Sequence, residues 1–156
     1  MYADREYYNS LYEEIDAQTY NRVGWQAAKL LDKYTTGIDG VRKLQKAFPS
    51  DLDAQEAVKR CECALVNLLL QIEQTEKAGA IATRADGTLT IGAVSSVSSG
   101  AESISYAAGN TAINTAAADN SARERLISST VREYLSGEKD ANGVNLLYMG
   151  VYPYVL

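Results

Sequence analysis

The groups in this chain that could do chemistry are carboxylates, thiols and hydroxyls, and none stands at a spacing that chemistry uses. Glu13, Glu14 and Asp16 are three acids within four positions. General acid–base catalysis needs two carboxylates held in different environments across a pocket. Adjacent solvated acids ahead of a helix instead complement its positive end. Cys61 and Cys63 are two apart in a segment that reads as helix, so their side chains diverge by about 200°. They cannot jointly grip a metal, two thiolates without histidine are too few for structural zinc, and a disulfide between them would distort the helix. Cys61 reads as a small buried hydrophobe. Ser95, Ser96, Ser98 and Ser99 offer hydroxyls without a base to activate them, and nothing in the spacing of Lys77 or Lys139 supplies one. The nearest approach to a phosphate loop, Ser98-Ser99-Gly100-Ala101, lacks the lysine and threonine that such a loop needs. The chain has no histidine. That removes Ser-His-Asp and Cys-His catalysis, imidazole metal ligands and the usual near-neutral proton shuttle. The reading is a non-catalytic protein with no cofactor and no metal.

The totals agree with a structural role. A chain of 156 residues, 46% hydrophobic, can bury a core as one domain over 1–156. The net charge of −5 argues against a protein built to hold nucleic acid. The densest basic cluster, Arg42-Lys43 with Lys46, is flanked by Asp39 and Asp51 and reads as a solvated face near a helix end. The start, Met1 to Glu6, is polar, and no stretch approaches the ~20 apolar residues of a membrane span. A protein that is cytosolic when made is expected.

The elements that would position these groups are mainly helical. Asp4 to Tyr12 reads as a helical turn. Asp16 to Tyr34 is a helix capped by Asp16, with Tyr20, Val23, Ala27, Leu30, Leu31 and Tyr34 on one stripe and Gly37 suited to the left-handed position after it. Ile38 to Phe48 reads as a shorter helix stopped by Pro49. The longest helix runs from Asp51 to Lys77, with a core stripe of Leu52, Val58, Cys61, Leu65, Leu68, Leu69 and Ile72, and ends at Gly79. Residues 80–118 turn to Ala, Gly, Ser and Thr. Asp86-Gly87 is a turn signal, and alternation at Thr88 to Ile91, at Val94 and Val97, and from Glu102 to Tyr106 predicts short extended pieces or a hairpin. The Ala-rich stretch 107–118 fits no element. Asp119 to Leu135 is again a helix, closed by Ser136-Gly137. The tail, 138–156, holds an Asn142-Gly143 turn and then an apolar run that Pro153 keeps from being helix interior.

Tyrosine occurs eleven times and crowds both ends. It is enriched where interfaces are buried. Two readings stay open: the ends anchor onto the chain's own core, or they bind neighbours. On the second, the interface candidates are Leu147, Tyr148, Val151, Tyr152, Tyr154 and Val155 in the tail, and Val94, Val97, Ile104 and Tyr106 in the Ser-rich segment.

The order of these parts resembles the head–tail connector (adaptor) proteins of long-tailed bacteriophages. The likeness lies in Met1-Tyr2-Ala3-Asp4 through Tyr7-Tyr8, Arg22 through Ala27 with Asp32 to Thr35, Val58-Lys59 and Cys63-Ala64-Leu65. It continues in Val94 to Gly100 with Ile104-Ser105-Tyr106, and in Leu146-Leu147-Tyr148-Met149-Gly150-Val151, so it spans nearly the whole chain. The resemblance implies a mainly α fold, a small helical bundle with an extended Ser/Gly-rich loop or β-hairpin and an extended C-terminal tail. It implies a virion subunit, assembled from the host cytoplasm into a homo-oligomeric ring, usually of twelve. Such a ring docks on the portal protein, continues the DNA channel and carries the next connector or tail-completion protein. Genomic DNA would pass through without sequence-specific binding, and no membrane is involved. The alternative is a DNA-packaging protein resembling a terminase small subunit, which would carry a basic helix-turn-helix. The only candidate for that, around Arg42 to Lys46, lacks one.

Overall fold

The computed structural model describes residues 1–80, 96–99, 102–105 and 112–153. It is mainly helical. The elements are α1 (Arg5–Leu11), α2 (Ala17–Thr35), α3 (Lys43–Lys46), α4 (Leu52–Ala80), β1 (Ser96–Ser99), β2 (Glu102–Ser105), α5 (Ala112–Ala118) and α6 (Asn120–Leu135). They fall into two compact units. The first is Met1–Leu69 with Ile127–Leu156, and the second is Leu70–Leu126.

In the first unit α1, α2 and α4 start where a side chain can accept from their unpaired amides, whereas α3 has no side-chain cap. Asp4 accepts from Tyr7 N–H at 2.8 Å and Asp16 from Thr19 N–H at 2.9 Å. Asp51 accepts from Ala54 N–H at 3.1 Å. Each satisfies a donor the helix leaves orphaned, which stabilises by about 1 kcal/mol. The core comprises Tyr8 from α1, Tyr20, Val23, Ala27 and Leu31 from α2, Leu44 from α3, Ala54, Val58, Cys61 and Leu65 from α4, and Val131 and Leu135 from α6, all buried.

Several boundaries differ from the expected ones, each for a local reason. Leu52, expected in the α4 stripe, is 77% exposed. At 100° per residue it sits about 160° around the helix from Ala54, which opens the buried row 54–58–61–65. Cys61, Glu62 and Cys63, three consecutive residues, are buried, so the buried face widens there to about 200° of the helix surface. The predicted helix over Ile38–Phe48 shrinks to four residues. Its first half is a turn at Asp39-Gly40 whose backbone bonds elsewhere: Thr36 bridges Arg42, and Ile38 N–H donates to Met149 C=O at 2.9 Å. Gly37 does not take the left-handed position after α2. It is needed for close approach, because a Cβ there would lie 2.6 Å from Gly150 O. Gly79 does not end α4, which continues to Ala80.

In the second unit, β1 and β2 pair antiparallel with Val97 opposite Ile104 and Ser99 opposite Glu102. The expected extended pieces at Thr88–Ile91 and the Asp86-Gly87 turn lie outside the described residues. The Ala-rich stretch that fitted no element contains α5, whose Ala116 is buried. Its carbonyl accepts from Arg123 Nε at 3.1 Å, and the same guanidinium pairs with Glu76 of α4. Asp119 caps α6, accepting from Ser121 N–H at 2.9 Å. In the first unit Gly137 follows α6 with φ +90°, the left-handed C-terminal position expected of it.

Candidate interaction surface

The two chain ends are held by buried polar groups, and what they hold decides what they leave exposed. At the N-terminus the anchor is Glu62. Its Oε2 accepts from Tyr2 N–H at 2.6 Å and Ala3 N–H at 2.5 Å, while Oε1 is buried with no partner. Burial pushes this carboxyl up, against the pull of the two amides and the N-terminal ammonium. The tyrosines complete the clamp. Tyr2 stacks on Phe48 at 5.7 Å and donates to Asp32 at 2.5 Å, Tyr7 donates to Glu56, and Tyr20 donates to Ala3 C=O at 2.8 Å. Burial first, then the Glu56 bond, pushes the Tyr7 phenol up to about 12. Of the two readings of the crowded tyrosines, the N-terminal set therefore takes the first: these residues fasten the chain to its own core.

The tail is held by Lys43. Its side chain is fully buried, and Nζ donates to Thr35 C=O at 2.9 Å, Leu146 C=O at 3.2 Å and Tyr148 C=O. An ammonium has three protons, so all are used. Burial lowers its pKa, and Asp140 and Asp39 raise it again. Tyr152 is the second peg. It is buried, its N–H donates to Asp39 Oδ2 at 2.7 Å, its hydroxyl donates to Asp140 and accepts from Asn142 Nδ2 at 2.9 Å, and Lys46 Nζ lies 4.7 Å from its ring centre. Leu146 is fully buried.

With Leu146 and Tyr152 facing in, Tyr148, Met149 and Val151 between them are turned out. Tyr148 is 50%, Met149 55% and Val151 62% exposed, and Ile38, on the loop hydrogen-bonded to this run, is 82% exposed. Four large apolar side chains thus stand in solvent on two segments tied together by Ile38 N–H to Met149 C=O and Tyr152 N–H to Asp39. A monomer gains nothing from such a group, and contiguous exposed apolar surface marks interaction sites.

The interface candidates read from the sequence separate accordingly. Tyr148 and Val151 are exposed, Leu147 is half-buried with its N–H on Asn145 Oδ1 at 2.8 Å, and Tyr152 is spent on the chain's own core. Val97 and Ile104 are backbone partners in the antiparallel β1–β2 pairing. Val94, Tyr106, Tyr154 and Val155 lie outside the described residues. Ile38 is the exposed apolar residue that the sequence reading did not single out, although an isoleucine inside Thr-Gly-Ile-Asp-Gly is a readable signal.

Cys61 and Cys63 are buried free thiols, pushed up to about 12 by burial and then by Glu62, which keeps them protonated. Among the described residues no three Cys, Asp or Glu side chains gather as a metal site, and no helix is long and apolar enough to cross a membrane. Comparison with known proteins finds no match to a family model, to a curated protein or to a solved structure.

Proposed function

We propose that this chain is a non-catalytic ring subunit of a phage head–tail connector, docking on the portal through its apolar tail surface. The observation that carries the reading is the outward set of Ile38, Tyr148, Met149 and Val151, held rigid by the buried Lys43 and Tyr152 pegs. A pre-organised apolar surface loses little entropy on binding and suits permanent assembly better than transient contact. The order of sequence motifs supplies the identity of the partners: further copies of the chain, the portal, and the next connector or tail-completion protein. In this reading the helices of the first unit form the ring wall. The net charge of −5 suits a channel that passes DNA without holding it.

The test is substitution at the exposed surface. Met149→Asp with Val151→Asp should leave helical content unchanged and abolish co-migration with purified portal rings. Undiminished co-migration of a folded double variant would remove the tail surface from the interface.

A further inference from the structure

The first unit carries a second surface that neither chain end occupies. A cavity of about 620 Å³ runs beside α2, lined among others by Met1, Trp25, Lys29, Lys33, Arg42 and Gln45. Trp25, the only tryptophan in the chain, is 56% exposed, with Lys29 Nζ 4.0 Å from its ring centre. It lies off the buried row of Val23 and Ala27 and contributes little to the core. Lys29 and Arg42 line the cavity against one acid, Asp32, whose carboxylate already accepts from the Tyr2 hydroxyl at 2.5 Å and Gln45 Nε2 at 2.6 Å. The groove is therefore cationic and partly aromatic in a chain whose net charge is −5.

The same chain exposes its complement. Glu13 and Glu14 are both exposed in the segment between α1 and α2. That segment is set in place where it meets α2, by Ile15 N–H on Asn9 Oδ1 at 3.3 Å and by Thr19 N–H on Asp16 Oδ1 at 2.9 Å. Because Asp16 is engaged in capping, Glu13 and Glu14 are the charges directed outward. A chain cannot fill its own groove this way: the thirteen residue steps from the Asp16 cap along α2 to Lys29 span about 20 Å. Two separate patches of opposite sign on one chain are what a repeating contact between copies requires.

We infer that the groove beside α2 receives the Glu13-Glu14 segment of a second copy of this chain. The inference rests on the ring reading and specifies one of its contacts. Nucleic acid is also anionic and stacks on tryptophan, but the overall acidity of the chain favours a short carboxylate segment over a polyphosphate.

A water-soluble carbodiimide joins a lysine amine to a carboxylate only when the two are in contact. Applied to an equal mixture of ¹⁴N- and ¹⁵N-labelled protein at high concentration and low salt, it should give mixed-isotope cross-links from Lys29 or Lys33 to Glu13 or Glu14. Their yield should fall on the order of tenfold when NaCl is raised from about 50 to 500 mM, because screening shortens the reach of surface charges. Lys29→Glu with Arg42→Glu should abolish them in a protein of unchanged circular dichroism. An equal mixture of that variant with Glu13→Lys/Glu14→Lys should cross-link again. Cross-links confined to single copies, or running to other acids, would overturn the contact, as would a groove-dependent shift on a duplex oligonucleotide in their place. The ring reading fails separately: the cross-links with no closed species by native mass, free or on portal rings, leave the contact standing and the ring refuted, while a closed ring without these cross-links does the reverse.

Discussion

Replacing Lys43 by methionine should loosen the tail and destabilise the first unit. Methionine has nearly the length of lysine, so the cavity left behind is small and the change isolates the ammonium. Three carbonyls, of Thr35, Leu146 and Tyr148, lose their donor. A buried acceptor left unpaired costs about 1 kcal/mol or more. Asp39 and Asp140 also lose the cation that faces them. Against these losses stands the relief of burying an ammonium, so the net destabilisation is about 3 kcal/mol, at the lower edge of what breaking a buried charged pair costs. At a slope of about 2 kcal/mol per molar urea, the unfolding midpoint falls by about 1.5 M. Trp25 on α2 reports the transition by fluorescence, since it is the only tryptophan and lies in the same unit. Lys46→Met is the control: its Nζ faces the Tyr152 ring from an exposed position, and its loss should cost under about 1 kcal/mol. A midpoint unchanged or raised in Lys43→Met would show that the three carbonyls do not depend on the ammonium.

Glu62→Gln tests the N-terminal clamp through pH. Because burial raises the folded-state pKa of Glu62, the folded chain holds that proton more tightly than the unfolded one, so its stability falls as pH rises through and above the ordinary carboxyl range of ~4.3. The variant does not titrate there, so its stability relative to the parent should improve between pH 4 and 7; a difference independent of pH in urea titrations would refute the assignment. Asp16→Ala removes the α2 cap and should cost about 1 kcal/mol by thermal or urea melt, whereas Glu14→Ala, which caps nothing, should cost almost nothing. Gly37→Ala sets a methyl 2.6 Å from Gly150 O and should cost about 2 kcal/mol through displacement of the tail, read as faster proteolysis after Tyr148.

How far the sequence could be read follows from what each residue responds to. The helix starts at Asp4, Asp16, Asp51 and Asp119 were legible because capping is local: the acid and the amide it accepts from are within three residues. The α2 stripe and the middle of α4 were legible because periodicity reports a buried face. Lys43 and Glu62 were not, because a charged residue reads as surface unless its partners are known, and those partners stand at residues 146 and 148 and at 2 and 3, far away along the chain. Gly37 reads as a helix stop from its neighbours alone, while its actual requirement comes from Gly150 across the fold. The same distance hides which tail residues face in. An apolar run is visible in the sequence, but the choice of Leu146 and Tyr152 as pegs, with Tyr148, Met149 and Val151 turned outward, is made by contacts to Lys43 and Asp39.

The central claim is assembly into a ring on a portal, and the most direct measurement is the mass of the assembled species. Light scattering or native mass spectrometry of the chain, alone at high concentration and mixed with purified portal rings, should detect a closed species of about twelve copies, near 200 kDa for a 16.9 kDa chain, free or portal-bound. A chain that stays at 16.9 kDa in both conditions, with no mass added to the portal, would contradict it.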